Sequence, residues 1–117
     1  MPWYGAHAIM YLKWRKGRQS DFFVWENVLL IQARDGKHAI EKARKRARQD
    51  QFGVPVVFRG RECDLAFAGI RKVIECQDLR KQPTDGTEIM YSELVVMTRA
   101  QLDALKTGKP VTVKYEE

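Results

Sequence analysis

The chain is short of the residues that mark specialised architectures. Two cysteines in 117 residues are too few for a disulfide framework, which points to a reducing compartment. Four prolines and eight glycines are scattered, with no Pro/Gly/Ser-rich linker, no repeat and no low-complexity segment. No apolar run approaches the roughly 18 residues that span a bilayer; Val28 to Ile31 covers about one strand segment. Trp3-Tyr4-Gly5 follows the start without a basic segment and apolar stretch, so no secretory signal is expected. Together these shortages describe one cytoplasmic domain, 1–117, with no membrane contact. Its core would be 3–97, with a helix-strand extension over 98–117.

What is present suits a packed domain. Twelve aromatics and many Val, Ile and Leu supply the core material that a disordered chain lacks. The net charge of +6 is uneven: residues 1–60 carry 12 Lys/Arg against 5 Asp/Glu, and residues 61–117 carry 9 against 10. The basic first half can gather anionic partners such as nucleic acid, phosphate-bearing ligands or acidic proteins.

The pattern predicts β-β-α-β-β-β-α-β. Residues 3–14 and 22–33 read as long strands, apolar on both faces, joined by a hairpin loop from Arg15 to Ser20. Asp35 caps a helix that Gly53 ends, and Ala39, Ile40, Ala43 and Ala47 form its apolar stripe. Val54 to Phe58 is a strand in which Pro55 marks an edge or a start, and Arg59-Gly60 is a tight turn. In the strand from Arg61, Cys63, Leu65 and Phe67 share one parity while Ile70, Ile74 and Cys76 share the other. A bulge at Ala68-Gly69 accounts for the change. Past a polar loop at 83–86, residues 87–97 predict another strand. Thr98 and Gln101 form a capping box for a short helix that Gly108 and Pro110 end, and 111–115 adds a last strand. Hairpins rather than alternating β-α units make the class α+β, with a mainly antiparallel sheet of five to six strands. One main helix packs on one face. Cys63 and Cys76, thirteen residues apart, would lie about 40 Å apart along an extended strand. They read as unpaired core residues.

Pairing the first hairpin around its loop makes opposing residue numbers sum to about 35. His7, Ile9, Tyr11, Val24, Glu26 and Val28 then share one face. Ala6 and Ala8 lie on the other, where they admit the alanine stripe of the helix. The first face needs cover, from the terminal helix or from a second copy of the chain. His7 and Glu26 become diagonal neighbours able to hydrogen bond. They make either an acid/base or ligand-contacting pair near Tyr11, or a polar pair satisfied inside an interface; the second is the commoner use of such pairs.

Catalytic and cofactor signatures are missing. There is no Cys-x-x-Cys or His-x-x-x-His spacing for a metal, no nucleophile elbow, and no phosphate-loop or dinucleotide motif. The expectation is a non-enzyme without cofactor. Lys42, Arg44, Lys45, Arg46 and Arg48 with Lys37 could contact phosphates. Spread over about 200° of the helix wheel, they resemble a solvated face more than a binding stripe.

Several ordered landmarks resemble a known family. They are Trp3-Tyr4, Glu26 with Val28-Leu29-Leu30-Ile31, and Ala39 with Lys42-Ala43. Further on come Phe67-Ala68-Gly69-Ile70-Arg71-Lys72-Val73, Asp85-Gly86-Thr87-Glu88-Ile89 and Tyr91-Ser92. In this order they are similar to the family catalogued as domain of unknown function 4288, over roughly residues 3–95. The resemblance implies a shared fold and a bacterial source, and carries no activity or catalytic residue. The functional expectation is a protein-interaction or regulatory module, a homo-oligomer formed through the open face of the first hairpin. The alternative is a nucleic-acid-associated protein using the helix.

Overall fold

Long strands with side chains suited to burial on both faces need cover on both, and the fold is arranged around one of them. The computed structural model describes residues 1–51, 55–77 and 84–116. The elements are β1 (Trp3–Trp14), β2 (Val24–Gln32), α1 (Gly36–Gln49), β3 (Val56–Phe58), β4 (Arg61–Glu75), β5 (Leu94–Val95), α2 (Arg99–Lys106) and β6 (Lys114–Tyr115). This is an α+β fold in the predicted order. The four-stranded antiparallel sheet runs β2-β1-β4-β3, and β5 pairs with β6 in a separate two-stranded sheet.

The β1–β2 register has opposing numbers that sum to 35, from Trp3↔Gln32 to Tyr11↔Val24. Gln19 closes the loop: its Oε1 accepts from the Trp14 amide at 3.2 Å and its Nε2 donates to the Leu12 carbonyl at 2.9 Å. β2 begins at Val24, two residues later than the pattern predicts. Phe23 packs against Phe58 instead, with ring centroids 4.5 Å apart.

α1 starts where its cap requires. The Asp35 side chain accepts from the His38 amide at 2.8 Å, and Arg46 and Arg48 in the last turn oppose the carbonyl end of the helix dipole. The helix stops at Gln49 with Asp50 as C-cap; Gly53, like Val54 and Pro83, lies outside the described residues. Ala39, Ala43 and Ala47 are all buried. Ala39 packs with Tyr4 and Ala33, while Ala47 packs with Ala8 and Met10 beside Leu29, Leu65, Phe67 and Ile70. Methyl side chains on both elements bring the helix backbone close to the sheet, so little free volume remains.

β4 departs from expectation in a way that re-aims one of its side chains. Its pairing with β1 slips twice: Ile9↔Gly69 is followed by Met10↔Phe67, and His7↔Lys72 by Ala8↔Ile70. Ala68 and Arg71 are therefore each an extra residue against β1. The first bulge was predicted and the second was not. Their combined effect places Ile70 and Val73 on the helix side, whereas Ile74 shares the opposite face with Gly5. The predicted grouping of Ile70 with Ile74 and Cys76 is therefore incorrect, because Arg71 adds a residue between Ile70 and Val73. Both cysteines are free and buried.

Residues 87–93 do not form the predicted strand; only Leu94–Val95 pairs, with Tyr115 and Lys114. This segment crosses the open face. Met90 lies against Gly5, its Cβ 3.3 Å from where a Gly5 side chain would begin. Lys72 Nζ donates to the Tyr91 carbonyl at 2.8 Å. A chain lying over a face cannot join the ladder, whose hydrogen bonds run in the plane of the sheet. α2 carries the Thr98/Gln101 capping box and has no buried residue. Arg59 and Gly60, with φ of 52° and 76°, make the two-residue turn between β3 and β4, whose positive dihedrals match the strand twist.

Filling the alanine interface tests its tightness. Ala43→Leu is expected to destabilise the fold by about 1–3 kcal/mol through overpacking, read as a lower urea midpoint at unchanged slope.

Candidate functional site

On the face opposite α1, a carboxylate from an edge strand meets groups from two other strands. Glu26 projects from β2 and His7 from β1, diagonal neighbours across the His7↔Val28 and Ile9↔Glu26 pairs. His7 Nδ1 lies 2.8 Å from Glu26 Oε2. An ionised carboxylate only accepts, so the proton of this bond sits on Nδ1. From β4, Arg71 donates through Nε to Oε1 at 2.6 Å and through Nη2 to Oε2 at 3.1 Å. This is a two-point, charge-assisted grip.

The second bulge explains how Arg71 gets there. β4 and β2 are separated by β1, roughly 10 Å apart across two ladder spacings, a span an extended arginine covers. As the extra residue, Arg71 escapes the strict alternation and passes over β1. Its guanidinium then stacks on Tyr115 of β6, 4.1 Å from the ring centroid. Lys72 beside it donates to the Tyr91 carbonyl and, at 3.1 Å, to Ser92 Oγ. One carboxylate thus ties three strands together, and the two cations of β4 tie the crossing segment and the small sheet to the same face.

The electrostatics follow. Arg71 first, and His7 after it, hold the Glu26 carboxyl below its usual range against the opposing effect of burial. His7 is 2 % exposed, and its Nε2 has no hydrogen-bond partner among the described residues. The carboxylate fixes the imidazole tautomer, an arrangement suited to a base or ligand nitrogen, but that nitrogen is enclosed. Among the described residues no group of three or more His, Cys, Asp and Glu could hold a metal ion. Burial raises the Cys76 thiol, assisted by Glu75, the direction of an unreactive cysteine.

The six face residues inferred from the sequence do share one face, but in two environments. His7 is enclosed, and Ile9 and Tyr11 are half-buried, Tyr11 meeting Phe22 edge-on at 5.7 Å. Val24 and Val28 stay 54 % and 48 % exposed. The helix residues are not brought to this face, since α1 covers the other. Lys42, Arg44, Lys45, Arg46 and Arg48 are exposed; Lys42 donates to the Gln32 carbonyl at 2.5 Å, and Arg46 pairs with Asp50 at 3.6 Å. Sequence reasoning missed Arg71, Lys72 and Tyr115. The signal for Arg71 was the spacing of Ile70 and Val73, which cannot both face the helix in a regular strand.

The family model described as Domain of unknown function (DUF4288) matches residues 3–91. The chain belongs to this family. No curated protein and no solved structure matches it. The DUF4288 match takes in His7, Glu26 and Arg71 and ends before β5, so Tyr115 lies beyond it.

Glu26→Gln removes the charge that Arg71 and His7 gather around, and is expected to cost about 1–3 kcal/mol at neutral pH. A lowered folded-state pKa means that this stability is fully present above the unfolded carboxyl value of about 4.3. It is lost as pH falls through the lower folded value. Urea titrations of both proteins from pH 7 downward should therefore show the difference shrinking only at acid pH.

Proposed function

We propose that this chain is a small, non-enzymatic interaction module of the bacterial cytoplasm that forms a homodimer through β2. The observation that carries the reading is the uncovered half of the sheet face. Residues 87–93 lie over Gly5 and Lys72, whereas Phe22, Val24, Val28 and Leu30 remain 61, 54, 48 and 50 % exposed. β2 is also an edge strand of nine residues without Lys, Arg or Pro, which lacks the usual devices that keep edges from pairing.

The backbone supports the same surface. Leu12 N donates to Phe23 O and Ala33 N to Pro2 O, both at 3.1 Å. By the alternation of an antiparallel ladder, Trp25, Asn27, Leu29 and Ile31 bond to β1. Val24, Glu26, Val28 and Leu30 then turn their amides and carbonyls outward. A second copy offers the same row, and two-fold antiparallel pairing satisfies both while merging the two apolar belts. The single charge on β2, Glu26, already carries Arg71 and His7, so two copies meet without bare like charges. The two thiols are free and buried, which accords with a reducing compartment.

Light scattering after gel filtration should give twice the chain mass of 13.6 kDa. The double variant Val28→Lys/Leu30→Lys should give the single mass with an unchanged circular dichroism spectrum. In the parent protein, amide exchange at Val24, Glu26, Val28 and Leu30 should slow with rising concentration. A single mass for the parent at all concentrations refutes the dimer.

A further inference from the structure

The other concentration of chemistry lies at the far end of the sheet, where the β1–β2 loop meets the β3–β4 turn. Residues 13–21 and 59–64 contribute six cationic side chains against three acidic ones. Arg15, Lys16, Arg59, Gly60, Arg61 and Glu62 line a groove of about 350 Å³. The arginines are held in place by rings. The Arg61 guanidinium lies 3.7 Å from the centroid of Trp14, and Arg59 lies 4.5 Å from Phe23 and 5.3 Å from Phe58. Arg61 Nη1 also donates to the Lys16 carbonyl at 3.3 Å, which ties the turn to the loop.

Most of this charge is uncommitted. Arg15 is neutralised by Asp64, with bonds of 3.0 and 2.7 Å to one carboxylate oxygen that hold the Asp64 carboxyl below its usual range. Arg59 and Lys16 make no side-chain hydrogen bond or ion pair among the described residues. Lys16, Arg59 and Arg61 therefore share the groove lining with one carboxylate, Glu62. A guanidinium stacked on a ring keeps its N–H edge free, and its orientation is fixed before a ligand arrives. A planar fork of donors with a flexible ammonium beside it matches the tetrahedral oxygens of a phosphoryl group. The α1 cations lack this: no ring among the described residues supports them, and they point around the helix.

We propose that this groove binds a phosphate group of a nucleotide, free or within a single-stranded nucleic acid, with Arg59, Arg61 and Lys16 as donors. Exposed phosphates are shared by both sources, and the groove offers no pocket for a particular base.

The test follows the arginine Nε–H resonances by ¹⁵N NMR during titration with tripolyphosphate and with an oligothymidylate, at about 50 mM salt. Saturable shifts of Arg59 and Arg61 with either probe support the site. Stronger binding of the oligonucleotide assigns it to nucleic acid, and equal binding to free nucleotides. Arg59→Gln and Arg61→Gln should each weaken binding about tenfold, the size of one lost charge-assisted hydrogen bond. Because both arginines also cover rings, Lys16→Gln, which disturbs no packing, should weaken it as well. Affinity should fall steeply towards about 200 mM salt. The proposal is overturned by no saturable shift with either probe, or by an Arg44→Gln/Lys45→Gln variant that weakens binding as much as the groove variants do.

Discussion

The structure depends on β1 being covered on both faces, and its side chains are chosen for close approach. Ala6 and Ala8 are 0 and 1 % exposed under the alanines of α1, and Gly5 leaves the space that Met90 occupies on the other side. β1 has strands bonded to both of its edges, α1 on one face and the crossing segment on the other. Small residues suit this position, since each larger side chain would push a neighbouring layer outward at the cost of contacts elsewhere.

Burial on this face creates a polar problem at His7, which Glu26 meets at Nδ1. His7, two residues from Gly5 on the same face, is 2 % exposed, and a buried imidazole needs a partner. Glu26 supplies it, and Arg71 in turn supplies the charge that lets Glu26 stay ionised while partly buried. Such a cluster contributes as much to alignment as to stability, because its bonds form only if three strands hold one register. The second bulge in β4 is the device that aims Arg71 there.

The two ends of the molecule use arginine and aromatic pairs differently. Arg71 on Tyr115 joins the small sheet to the main face while its N–H groups are spent on Glu26. Arg59 on Phe23 and Phe58 closes the aromatic end of the helix-side layer with its N–H groups unspent among the described residues. The same contact serves assembly in one place and, in the other, orients the arginine of the groove proposed to bind phosphate. The difference lies in whether a carboxylate is hydrogen-bonded to the guanidinium, as Glu26 is to Arg71.

The order of elements, the β1–β2 register and both helix starts were legible in the amino-acid sequence, because each rests on local chemistry. Asp35 and Thr98 cap helices within four residues of themselves, and a short polar loop sets how its flanking strands pair. The His7–Glu26 contact follows from that register and was legible with it. Arg71 was not identified, since a bulge is decided by how β4 fits against β1, residues about 60 positions away in the chain. Nor was the fate of 87–93, whose apolar centre Ile89-Met90-Tyr91 suits an extended chain equally well whether it joins an edge or crosses a face. The sequence by itself determined the order of the elements, both helix starts and which residues of the first hairpin share a face. Only the tertiary structure decided which half of that face stays open and where the unspent positive charge collects, because both depend on contacts between distant segments.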